Sequence, residues 1–241
     1  ASTNSPSGWS WSFDPSTVSF VGGTNAGSQN PQVAFNALGS YDVTLVVSNA
    51  AGPSSLTETA LVVVGNGSTL PIAEDLEGFD NCSNSTDCGG TECPLGNGWT
   101  NAPNGTEDDV DWRVFSGSTV STGTGPSVDA NPGTSTGKYV YLETSNSCVG
   151  QEGLLLSPCL DLTSAVAPLF RFAYHMYGAS MGSLHVDVDA GSGWILDVVP
   201  AVSGDQGNIW FYQDVDLTPY IGNSVRVRIR AITGTSFTSD V

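Results

Sequence analysis

Apolar and polar residues alternate along much of this chain, most clearly from Pro168 to Trp194. Leu169, Arg171, Ala173 and His175 fall on one side, and Phe170, Phe172, Tyr174 and Met176 on the other. After a glycine-rich turn, Leu184, Val186 and Val188 alternate with His185, Asp187 and Asp189. Alternation over this length predicts two half-buried strands joined by that turn. Near the end, Val225, Val227 and Ile229 alternate with Arg226, Arg228 and Arg230, which puts the three arginines on one face of a strand.

The first part of the chain has the same rhythm. Trp9, Trp11 and Phe13 share a face, and Pro31 to Phe35 is a short second candidate. Gly39 to Gly52 alternates at Tyr41, Val43, Leu45 and Val47, and Leu56 to Val64 follows. No stretch has a helical apolar period. The expected fold class is therefore all-β, with an immunoglobulin-like sandwich followed by a larger antiparallel sandwich. A polar Gly/Ser connection marks the division, giving residues 1–65, a linker at 66–70 and residues 71–241.

Composition narrows the function classes. The net charge of −18 over 241 residues repels phosphate, which disfavours nucleic acid and anionic membrane surfaces as partners. No run is apolar enough for membrane insertion. The opening residues lack the basic start and apolar run of a signal peptide, so an export signal is expected upstream. The five cysteines all fall between Cys82 and Cys159, a clustering that favours disulfides in an oxidising compartment over zinc, since no metal-type spacing occurs. Cys148 and Cys159 flank one strand candidate and are expected to pair. Among Cys82, Cys88 and Cys93, the expected bond is Cys82–Cys93, with Cys88 free or paired between molecules. Four Asn-x-Ser/Thr sequons, at Asn66, Asn81, Asn84 and Asn104, are read as chance in so Asn- and Ser-rich a chain.

Two family resemblances sit on these patterns. Trp11-Ser-Phe13 and the Gly39-x-Tyr41-x-Val43-x-Leu45-x-Val47-x-Asn49 run resemble the PKD domain over residues 7–65. The family's Gly-Asp-Gly after Trp-x-Phe is replaced by Asp14-Pro15-Ser16, and its first two strands are expected before Trp9. Residues 71–241 resemble the MAM domain, in the form found in secreted Bacteroidota proteins. The landmarks are Leu76-Glu77-x-Phe79, Gly98-Trp99, Asp111-Trp112, Gly137 to Ser145, Leu154 to Leu162, the Tyr174-His175-Met176-Tyr177-Gly178 run, and Asp214 to Gly222. The resemblance implies a jelly-roll sandwich with one further acidic strand beyond Val241.

Catalytic chemistry finds little purchase. His175 and His185 lie in no metal-ligand spacing, and no nucleophile elbow or phosphate loop occurs. A Ser/His/Asp set can be assembled from any Ser-rich chain, so composition gives it no weight. No catalytic residue is expected, and His175 is read as structural.

Metal chemistry has more support. Glu107, Asp108, Asp109 and Asp111 crowd one loop, and hard oxygens suit Ca²⁺, which takes about six to eight of them. The MAM resemblance adds Glu77 and Asp240. The expectation is one structural Ca²⁺ held by Glu77, Asp108, Asp109, Asp111 and Asp240, set against a plain solvated acidic loop. The run Asp187 to Gly193 lacks the twelfth-position glutamate of a calcium loop and is read as a hairpin turn.

Two surfaces are candidates for ligands. The row Arg226, Arg228 and Arg230 could bind carboxylates of a glycan or protein, or pair with neighbouring aspartates on a solvated face. The Trp9–Trp11 pair could stack sugars or fill the core, and core filling is preferred. The function read from all this is a non-catalytic extracellular binding or adhesion region of a larger secreted or surface protein, with a protein or glycan partner. The alternatives are an accessory region of a secreted metallopeptidase or glycosidase whose catalytic domain lies outside this chain, or a repeat unit of a long adhesin.

Overall fold

The computed structural model describes residues 6–37, 39–64, 67–83, 86, 88, 93–146 and 148–241. It divides into two units, Ala1–Asn66 and Gly67–Val241. Asn66 and Asn84 of the sequons lie outside the described residues, as does Gly65 at the end of the first segment; Asn66 is also the first residue of the linker.

The first unit has five strands: β1 (Gly8–Asp14), β2 (Val18–Val21), β3 (Gln32–Phe35), β4 (Gly39–Asn49) and β5 (Gly52–Val64). A sheet of order β1-β4-β5 faces the β2–β3 ribbon. Period-two residues meet inside. Phe13 lies edge-on to Phe20 and Phe35, and Phe35 edge-on to Tyr41 at 4.8 Å. Tyr41 is fully buried, and its hydroxyl is satisfied by Thr17 Oγ1 and Ala37 O. Trp11 lines the same interior with Phe13, Val33 and Val43, and donates its indole N–H to Ser28 O at 3.0 Å. Its position favours core filling.

The second unit carries β6 (Thr100–Asn101), β7 (Arg113–Ser116), β8 (Lys138–Tyr141), β9 (Glu152–Leu156), β10 (Leu160–Asp161), β11 (Leu169–Tyr174), β12 (Ser183–Asp189), β13 (Trp194–Ile195), β14 (Val202–Ser203), β15 (Phe211–Asp216) and β16 (Ser224–Ile232). The main sheet runs β13-β12-β16-β9-β6, with β10 on β16 and β14 on β12. Two antiparallel ribbons, β11–β15 and β7–β8, form the other strand pairs. The core packs Leu184, Val186 and Val188 of β12 with Val225, Val227 and Ile229 of β16, and with Val215, Leu217 and Met176. Phe170, Phe172 and Tyr174 lean on it from β11. Each fully buried aliphatic side chain contributes about 1.5–3 kcal/mol. The only described helical turn is a short 3₁₀ segment, Thr218–Tyr220.

Two expectations are corrected. The strands either side of the glycine-rich turn do not pair with each other: β11 pairs β15, while β12 pairs β16, β13 and β14. The connection carries the chain from one layer to the other. Gly178 allows that crossing, since a Cβ there would lie 2.2 Å from Thr238 O. Asp187 to Gly193 does make the β12–β13 hairpin turn, with Asp189 Oδ1 accepting from the Gly191 and Gly193 amides.

The second correction concerns sulfur. Cys82 bonds to Cys93, but Cys148 bonds to Cys88, and Cys159 is free. Cys148 and Cys159 sit beyond opposite ends of β9, which rises about 3.3 Å per residue. Cys148 O accepts from Thr233, at the far end of β16, whereas Cys159 O accepts from Ser68 beside β10. A disulfide needs Cα atoms within about 7 Å, and Cys88 meets Cys148 at 6.2 Å. Peptide mapping without reduction is expected to find the Cys82–Cys93 and Cys88–Cys148 links and to alkylate Cys159 alone. Cys148→Ser is expected to lower stability by about 2–4 kcal/mol in denaturant titration.

Candidate functional site

The antiparallel register of β12 and β16 sets His185 opposite Arg230, Asp187 opposite Arg228, and Asp189 opposite Arg226. Because Val186, Val188, Val227 and Ile229 must point inward, these charges all stand on the outer face. Asp187 has no exposed surface. Its Oδ2 accepts from Arg228 Nε and Nη2 at 3.0 and 2.7 Å and from Arg230 Nε at 2.9 Å. Its Oδ1 accepts from Arg230 Nη2 at 3.2 Å and from the Asp197 amide at 3.0 Å. Burial presses the Asp187 carboxyl towards neutrality, but the bonds from Arg230, the Asp197 amide and Arg228 outweigh it and hold the group below its ordinary range.

The network continues outward. Arg230 Nη2 reaches Asp197 Oδ1 at 3.1 Å, and Glu152 Oε1 stands 3.8 Å from Arg230 Nε. Trp194 lies over the Arg228 guanidinium at 4.3 Å and packs on Ala102, Leu154 and Leu156. The arginine row is therefore largely committed: Arg228 and Arg230 are only 12% exposed. Of the two readings of this row, pairing with a neighbouring aspartate holds for these two arginines, on a face that largely covers them rather than leaving them solvated. Arg226 differs, since it donates to Ser157 O and towards Thr100 Oγ1, and no described carboxylate pairs with it. Beside Trp194 stand two exposed apolar side chains, Ile195 and Leu196.

The histidines divide in role. His175 is buried, bonds Asn208 Oδ1 through Nε2 and packs against Trp210; burial lowers its pKa, so it is neutral. That side-chain partner and the packing suit the structural role expected of it. His185 bridges Asp197 and Ser183 on the outer face.

The five acidic residues assigned to one cation are not brought together. Glu77 Oε1 accepts the Lys138 amide at the start of β8. Asp240 is buried past the other end of β8, where its Oδ1 accepts from the Thr144 amide and hydroxyl. Asp108 and Asp109 accept the Leu154 and Glu152 amides of β9, and Asp108 feels the charges of Asp111, Asp109 and Glu152. Among the described residues no group of three or more His, Cys, Asp or Glu side chains is arranged to hold a metal.

Two pockets of unsatisfied charge remain. Burial, with the nearby carboxylates, pushes Asp108 up to about 6, and Asp108 Oδ1 is buried without a hydrogen-bond partner. Burial and the Glu143 charge push Asp240 up to about 7, and Asp240 Oδ2 and Glu143 Oε2 are likewise buried and unpartnered. Glu143 lies inside the Gly137 to Ser145 landmark just after β8, but nothing in that run marks it as a site residue. Asp197, in an apolar stretch, gave no signal either. The exposed sequons Asn81 and Asn104 are in turns and loops.

Asp187→Asn is expected to cost about 3–5 kcal/mol at pH 7, because two buried guanidinium groups lose their counter-charge. The Asp187 pKa is depressed below 3.8, so its stabilisation is present above about pH 4 and is lost as pH falls through the folded value. Denaturant titration should therefore find wild type and variant converging at low pH.

The model of the MAM domain family (meprin/A5/mu) matches residues 86–241. MAM domain-containing glycosylphosphatidylinositol anchor protein 1 of Gallus gallus is 32% identical over 120 residues, 49% of this chain and 12% of that protein. The Homo sapiens protein of the same name is 31% identical over 140 residues, 56% of this chain and 14% of its own length. Neuropilin-1a of Danio rerio is 28% identical over 144 residues, 56% and 15% respectively. The chain thus spans under one sixth of these relatives' length. The cleaved adhesin domain of Lys-gingipain from Porphyromonas gingivalis aligns with 59% of this chain and 85% of its own at a TM-score of 0.38 and 19% identity.

Proposed function

The chain belongs to the MAM domain family, and from that premise we propose that it is an extracellular binding region, working through contact with a protein or glycan. The family match over residues 86–241 carries this reading. Among the described residues, no helix is long and apolar enough to cross a membrane. The contact surface is the rim of the main sheet at Trp194, Ile195, Leu196 and Arg226. It combines an aromatic ring and a cation without a carboxylate partner, two residue types enriched in binding hot spots, with exposed aliphatic groups beside them. Ligand arrays of glycans and of extracellular proteins, probed with the whole chain, test it. Saturable binding is expected, weakened at least about tenfold by Trp194→Ala or Arg226→Ala. Binding to no array member, or binding indifferent to both changes, would refute the surface.

A structural Ca²⁺ belongs to the same proposal. The donor chemistry fits at Asp240 and Glu143, where two buried oxygens lack partners and the charges repel. Bound there, a divalent ion would add counter-charge to a neighbourhood in which Tyr141 feels Glu143 and Asp240 together with the buried Arg113. Without it, the raised Asp240 pKa means the folded state holds its proton more tightly. Stability should then fall as pH rises from about 4 to about 7. Melting of EDTA-stripped chain is expected to rise with Ca²⁺ at pH 7.5, and Asp240→Asn should remove the gain and the Asp240 share of this pH slope, leaving the part below about pH 6 that Asp108 contributes. A wild-type melting point indifferent to Ca²⁺ rules the ion out.

A further inference from the structure

One constellation on the outer face lies outside the binding reading. Ser183 and His185 are two residues apart on β12, so they share a face. Ser183 Oγ and His185 Nε2 are 2.9 Å apart, and His185 Nδ1 lies 2.6 Å from Asp197 Oδ1. A carboxylate only accepts, so Nδ1 carries the proton; in the neutral ring Nε2 is then the acceptor, and Ser183 donates to it.

Asp197 is held for this task from three sides. Arg230 Nη2 grips its Oδ1, its amide is fixed to Asp187, and its backbone sits at φ 53°, a conformation uncommon for residues with a side chain. Nucleophile, base and orienting carboxylate within hydrogen-bond reach are the signature of an activated hydroxyl. The three residues are close only because the β12–β13 turn folds Asp197 back beside β12.

We propose that Ser183 is a nucleophile activated by His185, with Asp197 as the positioning residue, and that it takes short acyl groups from activated esters. In the first step Ser183 Oγ bonds to the carbonyl carbon while His185 Nε2 takes the hydroxyl proton. The carbon–oxygen bond to the alcohol then breaks, and His185 returns that proton to the leaving oxygen. Water repeats the sequence on the acyl-serine, releasing the carboxylic acid and restoring Ser183. No other reactant is needed.

The substrate class follows from the surroundings. Ser183 does not line the apolar cavity of the second unit that could hold a long acyl chain, which points to short ones. Ser183 is partly buried beside Ser203 of β14. We assign no fixed donor to the developing oxyanion. The gain is therefore that of general-base catalysis, about 10²–10⁴-fold, without the further factor a built oxyanion hole supplies.

The whole chain is tested with p-nitrophenyl acetate and with a fluorophosphonate probe. Mass mapping is expected to place the probe on Ser183. Ser183→Ala should abolish both labelling and ester turnover, and His185→Gln should lower both at least about 10²-fold. Asp197→Asn should lower turnover and change its pH profile, because the amide can hold the ring in the wrong tautomer. A purely structural Asp197 would leave that profile unmoved. Ser203→Ala should retain full labelling, and melting curves of each variant identify any that are unfolded. Labelling elsewhere than Ser183, turnover no faster than buffer, or a rate unchanged in folded His185→Gln would overturn the proposal.

Discussion

Asp187 sits without exposed surface on a strand whose opposite face is all core, and an ionised carboxylate survives there only because Arg228, Arg230 and the Asp197 amide all reach it. The same bonds fix the pairing of β12 with β16. A slip of one residue would turn the arginines into the core and the valines into water. Once the register is set, Trp194 has a guanidinium to cover, Asp197 has a fixed amide, and His185 has a fixed neighbour. A well-packed apolar substitute could stabilise the sheet as well, but it would not hold these outer groups in place.

Charge is distributed very unevenly. All six basic residues lie in the second unit, where four of them stand on β11 and β16. Three of those four are bonded to aspartates: Arg171 to Asp214, and Arg228 and Arg230 to Asp187. The acidic excess therefore falls on loops and strand ends, and buried carboxylates such as Asp108 and Asp240 have other carboxylates as charged neighbours.

Much of this architecture was legible in the residues, and the limits have physical causes. Period two tells which way Arg226, Arg228 and Arg230 point, but two strands of equal period are compatible with many neighbours. Hence β11 and β12 could be drawn as one hairpin, although β11 pairs only with β15. The strand landmarks of the family fell in order, so the fold class was readable. Sulfur partners were not: spacing fixes how far a chain can reach, and β9 carries Cys148 and Cys159 apart. Acidic composition marked the loop at Asp108 but could not assign it to β9 rather than to Asp240. Asp197 lay hidden because a turn, not a motif, brings it to His185.

The Cys88–Cys148 bond joins residues 60 apart in sequence, and the span between them holds β6, β7, β8 and the acidic loop. A single cut anywhere in that span leaves both fragments covalently attached, each still paired to its sheet neighbours. β6 would remain on β9 and β8 on β7 or on the chain end through Leu142 and Val241, according to where the nick falls. In surroundings rich in proteases, a nick within that span leaves the second unit whole, and separating the two fragments requires a reductant as well as a protease.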